Sequence, residues 1–195
     1  MTVQSPLRAR CPADLAAAVR AATRQHADWQ QTADLVAAQL RTRLPGPDVL
    51  TAAERAGDQT GYRCHVLHAE PDGSFSITAM VWRPGQRTPI HDHVTWCVFG
   101  VIQGIEHEEL FRLSADGSHL TPAGRSENHP GMVGGFAPPG DIHRVRNTGD
   151  RVAISVHVYG ADITRLGSSI RRAYDLPVAT PALAARPAAT ASGPS

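Results

Sequence analysis

The sequence predicts a mainly β domain, a sandwich or barrel, preceded by α-helices. From about Gly61 to Gly160, short β-rich runs alternate with glycine- and proline-containing turns, which gives seven or more strands. Residues 12 to 43 instead carry Ala, Leu and Val at helical spacing. A chain of 195 residues, 42% of them hydrophobic, is long enough to bury one full core.

The helical region is predicted to hold two helices between residues 12 and 43, the second with Thr32 as a candidate N-cap, and a third, short helix before Gly57. We divide the chain into a helical segment (1–59) that packs on the barrel, the barrel itself (60–178) and a tail (179–195). The tail is rich in Ala, Pro, Ser and Thr, and we expect it to be disordered because it cannot bury enough apolar surface.

The barrel strands are expected in segments rich in β-branched and aromatic residues. They are RCHVLHA, FSITAMVW, WCVFGVIQG, IEHEELFRL, MVGGFAP, HRVRN and VAISVHVY. A helical turn is expected to follow Tyr159.

Charge and composition exclude several function classes. The net charge is +1, with 19 basic against 18 acidic residues and no basic stripe, so we expect no nucleic-acid partner. The first thirty residues lack the apolar core of a signal peptide, and no segment approaches membrane-spanning length. The three cysteines lack metal-finger or redox-pair spacing, as expected of reduced thiols. We therefore expect a cytoplasmic protein, monomeric or weakly homo-oligomeric, without a membrane partner.

Three histidines indicate a metal site. His91 and His93 form a His-x-His pair, and an extended segment sends both side chains to one face. His143 supplies a third imidazole from a neighbouring segment. Three neutral nitrogen ligands leave a divalent metal with its full charge and open positions, which suits catalysis by non-haem iron, Fe(2+).

The residues around these histidines resemble the cupin superfamily. The stretch Gly85-x5-His91-x-His93-x3-Cys97-x6-Gly104 is similar to the first cupin motif, and Pro138-Pro139-Gly140-x2-His143-x3-Asn147 to the second. The resemblance implies a double-stranded β-helix, the jelly-roll barrel of cupins, with N-terminal α-helices. Many cupins carry a glutamate ligand where this chain has Cys97, so the chain resembles the three-histidine thiol dioxygenases more closely.

Residues 60 to 175 resemble the cysteine dioxygenase family, in its bacterial type. In Ser155-Val156-His157-Val158-Tyr159 the polar residues alternate with valines and share one strand face, which is either solvent-exposed or functional. The family carries a Ser-His-Tyr relay of this spacing. The resemblance implies that Tyr159, oriented by His157 and Ser155, acts beside the metal, and that His157 is not a ligand.

The resemblance also implies a small-molecule thiol and O2 as the reactants, with Fe(II) as the cofactor. Arg63 falls where cysteine dioxygenases place the arginine that pairs with the substrate carboxylate, which implies L-cysteine and a cysteine sulfinate product. Trp96, soon after the ligands, looks instead like the 3-mercaptopropionate dioxygenases, which remain the alternative. Arg171 or Arg172 could offer a second carboxylate contact, as arginines do in that group.

Cys97 leaves further alternatives open. Animal cysteine dioxygenases join a cysteine at the matching position to the relay tyrosine, so a thioether between Cys97 and Tyr159 is one hypothesis and a small buried thiol is the other. Cys97 as a fourth ligand would make a closed, structural metal site. A small-molecule-binding cupin without turnover is the non-enzymatic alternative.

Overall fold

The computed structural model describes residues 11–25 and 27–179. The prediction that the tail is disordered falls on residues 180–195, which lie outside the described part, and on residue 179. The first ten residues of the predicted helical segment also lie outside it. The helices are α1 (Ala13–Thr23), α2 (Trp29–Arg43), α3 (Ala52–Arg55) and α4 (Ile163–Leu166), with a 3₁₀ turn at Pro47–Val49.

Ten strands follow the N-terminal helices. They are β1 (Arg63–Ala69), β2 (Ser76–Trp82), β3 (His91–His93), β4 (Cys97–Gln103), β5 (Glu106–Leu113), β6 (Leu120–Asn128), β7 (Val133–Phe136), β8 (His143–Arg146), β9 (Ala153–Tyr159) and β10 (Ile170–Ala173). One five-stranded sheet has the order β1-β2-β9-β4-β7 and the other β10-β3-β8-β5-β6. The paired strands are antiparallel. The mainly β prediction with N-terminal helices is confirmed.

The helices cover the outer face of the first sheet. Leu15 and Val19 of α1, and Val36 and Leu40 of α2, are fully buried in one cluster with apolar side chains of β2, β4 and β9. Gly100 on β4 allows this close approach, because a Cβ there would lie 2.5 Å from Leu44 Cδ1, just beyond α2. The apolar stripe read from the sequence thus packs against the barrel.

The N-cap of α2 differs from the prediction. The helix begins at Trp29, and the side chain of Asp28 accepts a hydrogen bond of 2.8 Å from the backbone N–H of Gln31. Thr32 is a buried residue inside the helix. Asp28 and Thr32 are both good capping residues, and the earlier start places Thr32 on the buried face of the helix together with Val36 and Leu40.

Strand β6 was not predicted. It pairs with β5 along its whole length, yet most of its residues are exposed. It contains Pro122 and Gly124, which weaken a strand signal, and it lies at the edge of its sheet, where a proline is tolerated.

Candidate metal centre

The three predicted ligands meet inside the barrel, between the sheets. His91 and His93 lie on β3, and His143 lies on β8 directly opposite His91. All three are buried, and their candidate ligand atoms lie within 4.8 Å of one another. Cys97 is not part of this group, which among the described residues consists of the three histidines. Within residues 11–25 and 27–179 the arrangement is therefore a three-nitrogen group with no fourth protein ligand.

Each imidazole is held by its Nδ1 atom. His91 Nδ1 lies 3.0 Å from the Pro89 carbonyl oxygen, His93 Nδ1 lies 3.0 Å from Asp141 Oδ2, and His143 Nδ1 lies 2.6 Å from Glu108 Oε1. These partners are acceptors, so each Nδ1 carries the proton and donates it. Each Nε2 then presents a lone pair, the form in which histidine binds a metal.

The site fits a divalent metal on two further observations. His143 Nε2 is buried and has no hydrogen-bond partner among the described residues. Burial, together with the neighbouring His143 and His93, lowers the pKa of His91 to about 3, and burial is also the main cause that lowers the pKa of His93. Both imidazoles are therefore neutral near pH 7, as ligation requires.

A second polar group lies on β9. It consists of three side chains at alternate positions, Ser155, His157 and Tyr159. All three are buried, so the alternative that this strand face is exposed to solvent is wrong. Ser155 Oγ lies 2.8 Å from His157 Nε2, and Tyr159 OH lies 3.4 Å from His157 Nδ1. The three side chains form a hydrogen-bonded line that ends at Tyr159, whose ring centroid is 6.3 Å from that of His93.

His157 is a member of this line and not of the metal-ligand group. Burial, with His93, His143 and His91 nearby, lowers its pKa to about 3. Burial raises the pKa of Tyr159 well above its ordinary value, so the hydroxyl keeps its proton at neutral pH. Two neutral groups, an imidazole and a phenol, are thus available beside the metal position.

One cavity of about 180 Å³ connects the two groups. Its walls include the three histidines, the side chains of Cys97, His157 and Tyr159, several aromatic residues and two acidic residues, Glu106 and Glu108. Of the described residues that line it, none is a lysine or an arginine. The cavity is thus sized for a small molecule and has no fixed cation in its walls.

Arg63 does not reach this cavity. It is exposed, and its guanidinium pairs with Asp58. Its neighbours Tyr62 and Cys64 line the cavity instead. Because side chains alternate along a strand, the residue between two inward positions faces outward. The guanidinium predicted to bind the substrate carboxylate is therefore not part of the cavity wall.

Arg171 and Arg172 also lie outside the cavity wall. Arg171 pairs with Asp92, the residue between the two histidines of β3, and Tyr174 OH donates a hydrogen bond of 2.8 Å to the same carboxylate. The Arg172 guanidinium stacks over the Tyr174 ring at 4.4 Å. Through these contacts β10 and the residues after it support β3, the strand that carries His91 and His93, on the edge opposite β8.

Sequence reasoning missed Asp141, Glu108 and Glu106. Asp141 precedes His143 by two residues, which is a usable signal for a residue near the site. Glu106 and Glu108 stand at alternate positions of a predicted strand, so both face one side, and two acidic residues on an inner face are unusual. That alternation could have marked them.

Comparison with known proteins places the chain in a family. Residues 1–168 match the sequence profile described as cysteine dioxygenase type I. The chain belongs to the cysteine dioxygenase type I family. This confirms the resemblance read from the two motifs, and it identifies the protein as a cupin thiol dioxygenase at the level of the family.

Several solved structures are similar to part of this member of the cysteine dioxygenase type I family. One is a cupin domain of an XRE family transcriptional regulator from Enterobacter cloacae, at 19% identity and a TM-score of 0.38, covering 50% of this chain and 94% of that one. Another is a conserved barrel domain protein from Salinispora arenicola, at 23% identity and a TM-score of 0.41, covering 56% and 86%. A recombinant oxalate oxidase in complex with glycolate has 18% identity and a TM-score of 0.42, covering 53% of each chain.

None of the helices within the described ranges is long and apolar enough to cross a membrane.

Proposed function

We propose that this protein is a non-haem Fe(II) dioxygenase that oxidises the thiol of L-cysteine to cysteine sulfinate with O2. The observation that carries the proposal is the group of three imidazoles in the wall of the same small cavity as His157 and Tyr159, with Ser155 hydrogen-bonded to His157. We place this activity in the cytoplasm.

His91, His93 and His143 would hold the iron through their Nε2 atoms. When bound, Fe(II) in an all-nitrogen site supplies a Lewis-acidic centre that favours an anionic thiolate and accommodates O2. The overall reaction is balanced without another reductant: RSH and O2 give RSO2⁻ and H⁺. The thiol sulfur loses four electrons, which is the number that full reduction of one O2 requires.

The protein's own groups would orient the substrate and control its proton. Tyr159 keeps its hydroxyl proton, because its pKa is raised by burial, and therefore can donate a hydrogen bond to a thiolate or to a developing sulfinate oxygen. His157 would orient the phenol through the contact between its Nδ1 and the Tyr159 hydroxyl, and Ser155 would orient the imidazole ring through Nε2. The Phe136 ring, 4.9 Å from those of both His93 and His143, covers the ligands and helps exclude water.

The choice of cysteine rests on the amine of the substrate. With Arg63 outside the cavity, a substrate would be fixed by its own donor groups, and cysteine has an amine besides its thiol with which it would bind a metal held by the three histidines. Both thiols carry a carboxylate, which would lie in a cavity that holds Glu106 and Glu108 and, among its described lining residues, no lysine or arginine. Charge therefore does not separate them, and we favour cysteine over 3-mercaptopropionate on its additional amine donor.

We also propose a thioether between Cys97 and Tyr159. Its formation removes one hydrogen from the thiol and one from the phenol ring, a two-electron oxidation for which O2 is the acceptor. Their strand positions pair directly, and both side chains line the same cavity.

Oxygen consumption by the anaerobically Fe(II)-loaded protein tests the function. L-cysteine and 3-mercaptopropionate are compared by kcat/KM, and the sulfinate product is quantified. We expect turnover with a preference for cysteine. A preference for 3-mercaptopropionate would contradict the choice of substrate, and no oxygen uptake with either thiol, in protein shown to hold iron, would favour a small-molecule-binding cupin.

A further inference from the structure

Glu106 is a buried acid for which the mechanism above has no use. It lies at the start of β5, is 1% exposed and lines the cavity. Its Oε1 atom has no hydrogen-bond partner among the described residues, and the same holds for the nearby Trp82 Nε1. A fully buried carboxyl with a free oxygen costs stability, and this one lies in the wall of the histidine cavity.

The neighbours of Glu106 connect it to the line that ends at Tyr159. The Ser155 hydroxyl of β9 and the Trp82 indole of β2 lie near the carboxyl and favour its charged form, although the indole N–H makes no hydrogen bond to it. The titratable groups that face it are Glu108 on its own strand and Cys97 on β4, and Asn128 stands opposite it on β6. The same Ser155 hydroxyl lies 2.8 Å from His157 Nε2, so Ser155 interacts with both Glu106 and His157.

This placement allows two directions for the hydrogen bonds. If Glu106 is ionised, Ser155 donates to it, His157 Nε2–H donates to Ser155, and the bare Nδ1 accepts from Tyr159. If Glu106 is protonated, it donates to Ser155, Ser155 donates to Nε2, and Nδ1–H donates to the Tyr159 oxygen. Only in the second case is the Tyr159 proton free to point into the cavity.

We propose that Glu106 is a positioning residue that sets the direction of the hydrogen bonds from Ser155 through His157 to Tyr159, and that its protonated form makes Tyr159 a hydrogen-bond donor toward the substrate. The proposed control of hydrogen-bond direction depends only on the contacts among these four side chains. The catalytic consequence rests on the proposed function.

The electrostatics of Glu106 place the change of direction in an accessible pH range. Burial raises the pKa of this carboxyl to about 7, because the charged form loses its water, and Ser155 and Trp82 oppose the shift only partly. Both directions are therefore populated near neutral pH. An imidazole whose own pKa is about 3 stays neutral throughout, so only its tautomer changes.

The direct test is the tautomer of His157 in the metal-free protein, followed by ¹⁵N NMR of histidine-labelled samples from pH 5.5 to 8.5, the range around the raised pKa of Glu106. The His157 resonances are assigned from their loss in a His157→Gln variant. We expect the proton to move from Nδ1 at low pH to Nε2 at high pH. In Glu106→Gln, whose amide N–H₂ imitates the protonated acid as a donor, it should stay on Nδ1 at every pH. Glu109→Gln, on the outer side of the same strand, should behave like the wild type.

A kinetic measurement on the iron-loaded proteins tests the consequence. The ratio of kcat for Glu106→Gln to kcat for the wild type should rise about tenfold or more between pH 6 and pH 8.5, because the wild type loses its donor while the variant keeps it. The ratio cancels the titration of the thiol itself.

Three outcomes would overturn the proposal: a His157 tautomer that ignores pH in the wild type, a Glu106→Gln variant with the wild-type titration, or a flat kcat ratio. Because the NMR arm needs neither iron nor turnover, an inactive protein with the expected tautomer change would refute the proposed function alone.

Discussion

Cys97 and Tyr159 stand directly opposite each other on β4 and β9, and both side chains are buried in the wall of the histidine cavity. Cys97 Sγ also lies 3.7 Å from His157 Nδ1, the atom that faces the Tyr159 hydroxyl. Burial raises the pKa of this thiol well above its ordinary value, and Cys97 is not a member of the three-histidine group. Its position beside the phenol makes it a direct neighbour of Tyr159.

The proposed thioether predicts a change in mass. After aerobic turnover with Fe(II) and cysteine, the intact mass should fall by two hydrogens, and a peptide that joins Cys97 to Tyr159 should appear after digestion. Cys97→Ser is the matched control, because it keeps a small polar side chain and cannot form the link. An unchanged mass after many turnovers would contradict the hypothesis.

Removal of the Tyr159 hydroxyl separates catalysis from metal binding. Tyr159→Phe should lower kcat by roughly 100-fold, since a positioned proton donor is lost while the ring still fills its space. Iron content per chain should stay at the wild-type value, because the hydroxyl is not a ligand. Kinetics and metal analysis of the same sample check both statements, and a parallel loss of iron would mean that Tyr159 has a different role.

Asp141 is expected to control metal affinity through His93. Its carboxylate accepts hydrogen bonds of 3.0 Å from both the backbone N–H and Nδ1–H of His93. Asp141→Asn should weaken Fe(II) binding about 10- to 100-fold, because the ring loses a charged acceptor that fixes its tautomer and its orientation. Chelator competition under anaerobic conditions measures the affinity. Asp116→Asn, in an exposed turn, is the control, and equal affinities for the two variants would refute the role.

The attachment of α1 to the barrel depends on an ion pair. The Arg20 guanidinium makes two hydrogen bonds with the buried Glu70 carboxylate, and these lower the pKa of Glu70. Arg20→Ala should therefore reduce the melting temperature by several degrees near pH 7, whereas Arg24→Ala should not.

The sign of the pH effect at Glu70 follows from the direction of its pKa shift. A carboxyl with a lowered folded-state pKa stabilises the fold above its unfolded pKa, and this contribution is lost as the pH falls through the folded pKa. The difference in melting temperature between Arg20→Ala and the wild type should therefore shrink below about pH 4.5. A constant difference down to pH 3 would contradict the pairing.

Glu106 predicts the opposite pH dependence of stability. Its pKa is raised in the folded state, so the fold keeps its full stability below the unfolded pKa and loses it as the pH rises toward about 7. From the size of the shift, the wild type should lose roughly 3 kcal/mol between pH 4.5 and pH 8 relative to Glu106→Gln. Chemical denaturation of both metal-free proteins across this range measures the difference. If the free energies of unfolding of the two proteins changed with pH in parallel, the pKa of Glu106 would not be raised by folding.

The metal ligands and the hydrogen-bonded line on β9 could be predicted from the sequence because both depend on the alternation of side chains along a strand. His91 and His93 must share a face whatever the register, and so must Ser155, His157 and Tyr159. Spacing to His143 within a second motif then identified the third imidazole. The barrel itself followed from regularly spaced turns, and β6 was missed because a polar edge strand that contains Pro122 has little strand signal.

The face of β1 on which Arg63 lies could not be predicted from the sequence. Which face of a strand is inward depends on its phase, and a shift of one residue exchanges the two faces. Tyr62 and Cys64 line the cavity, so Arg63 faces outward. Asp141 and Glu108 were missed for a related reason: a hydrogen bond to a ligand depends on distances across the barrel, which one sequence does not contain.

The incorporation of ¹⁸O from ¹⁸O2 into the product tests the central claim most directly. The Fe(II)-loaded protein is supplied with L-cysteine in unlabelled water, with a His93→Ala variant as the control, and the product is analysed by mass spectrometry. The account predicts cysteine sulfinate that carries two ¹⁸O atoms with the wild type and none with the variant. Cystine as the sole product, or sulfinate with oxygen derived from water, would contradict it.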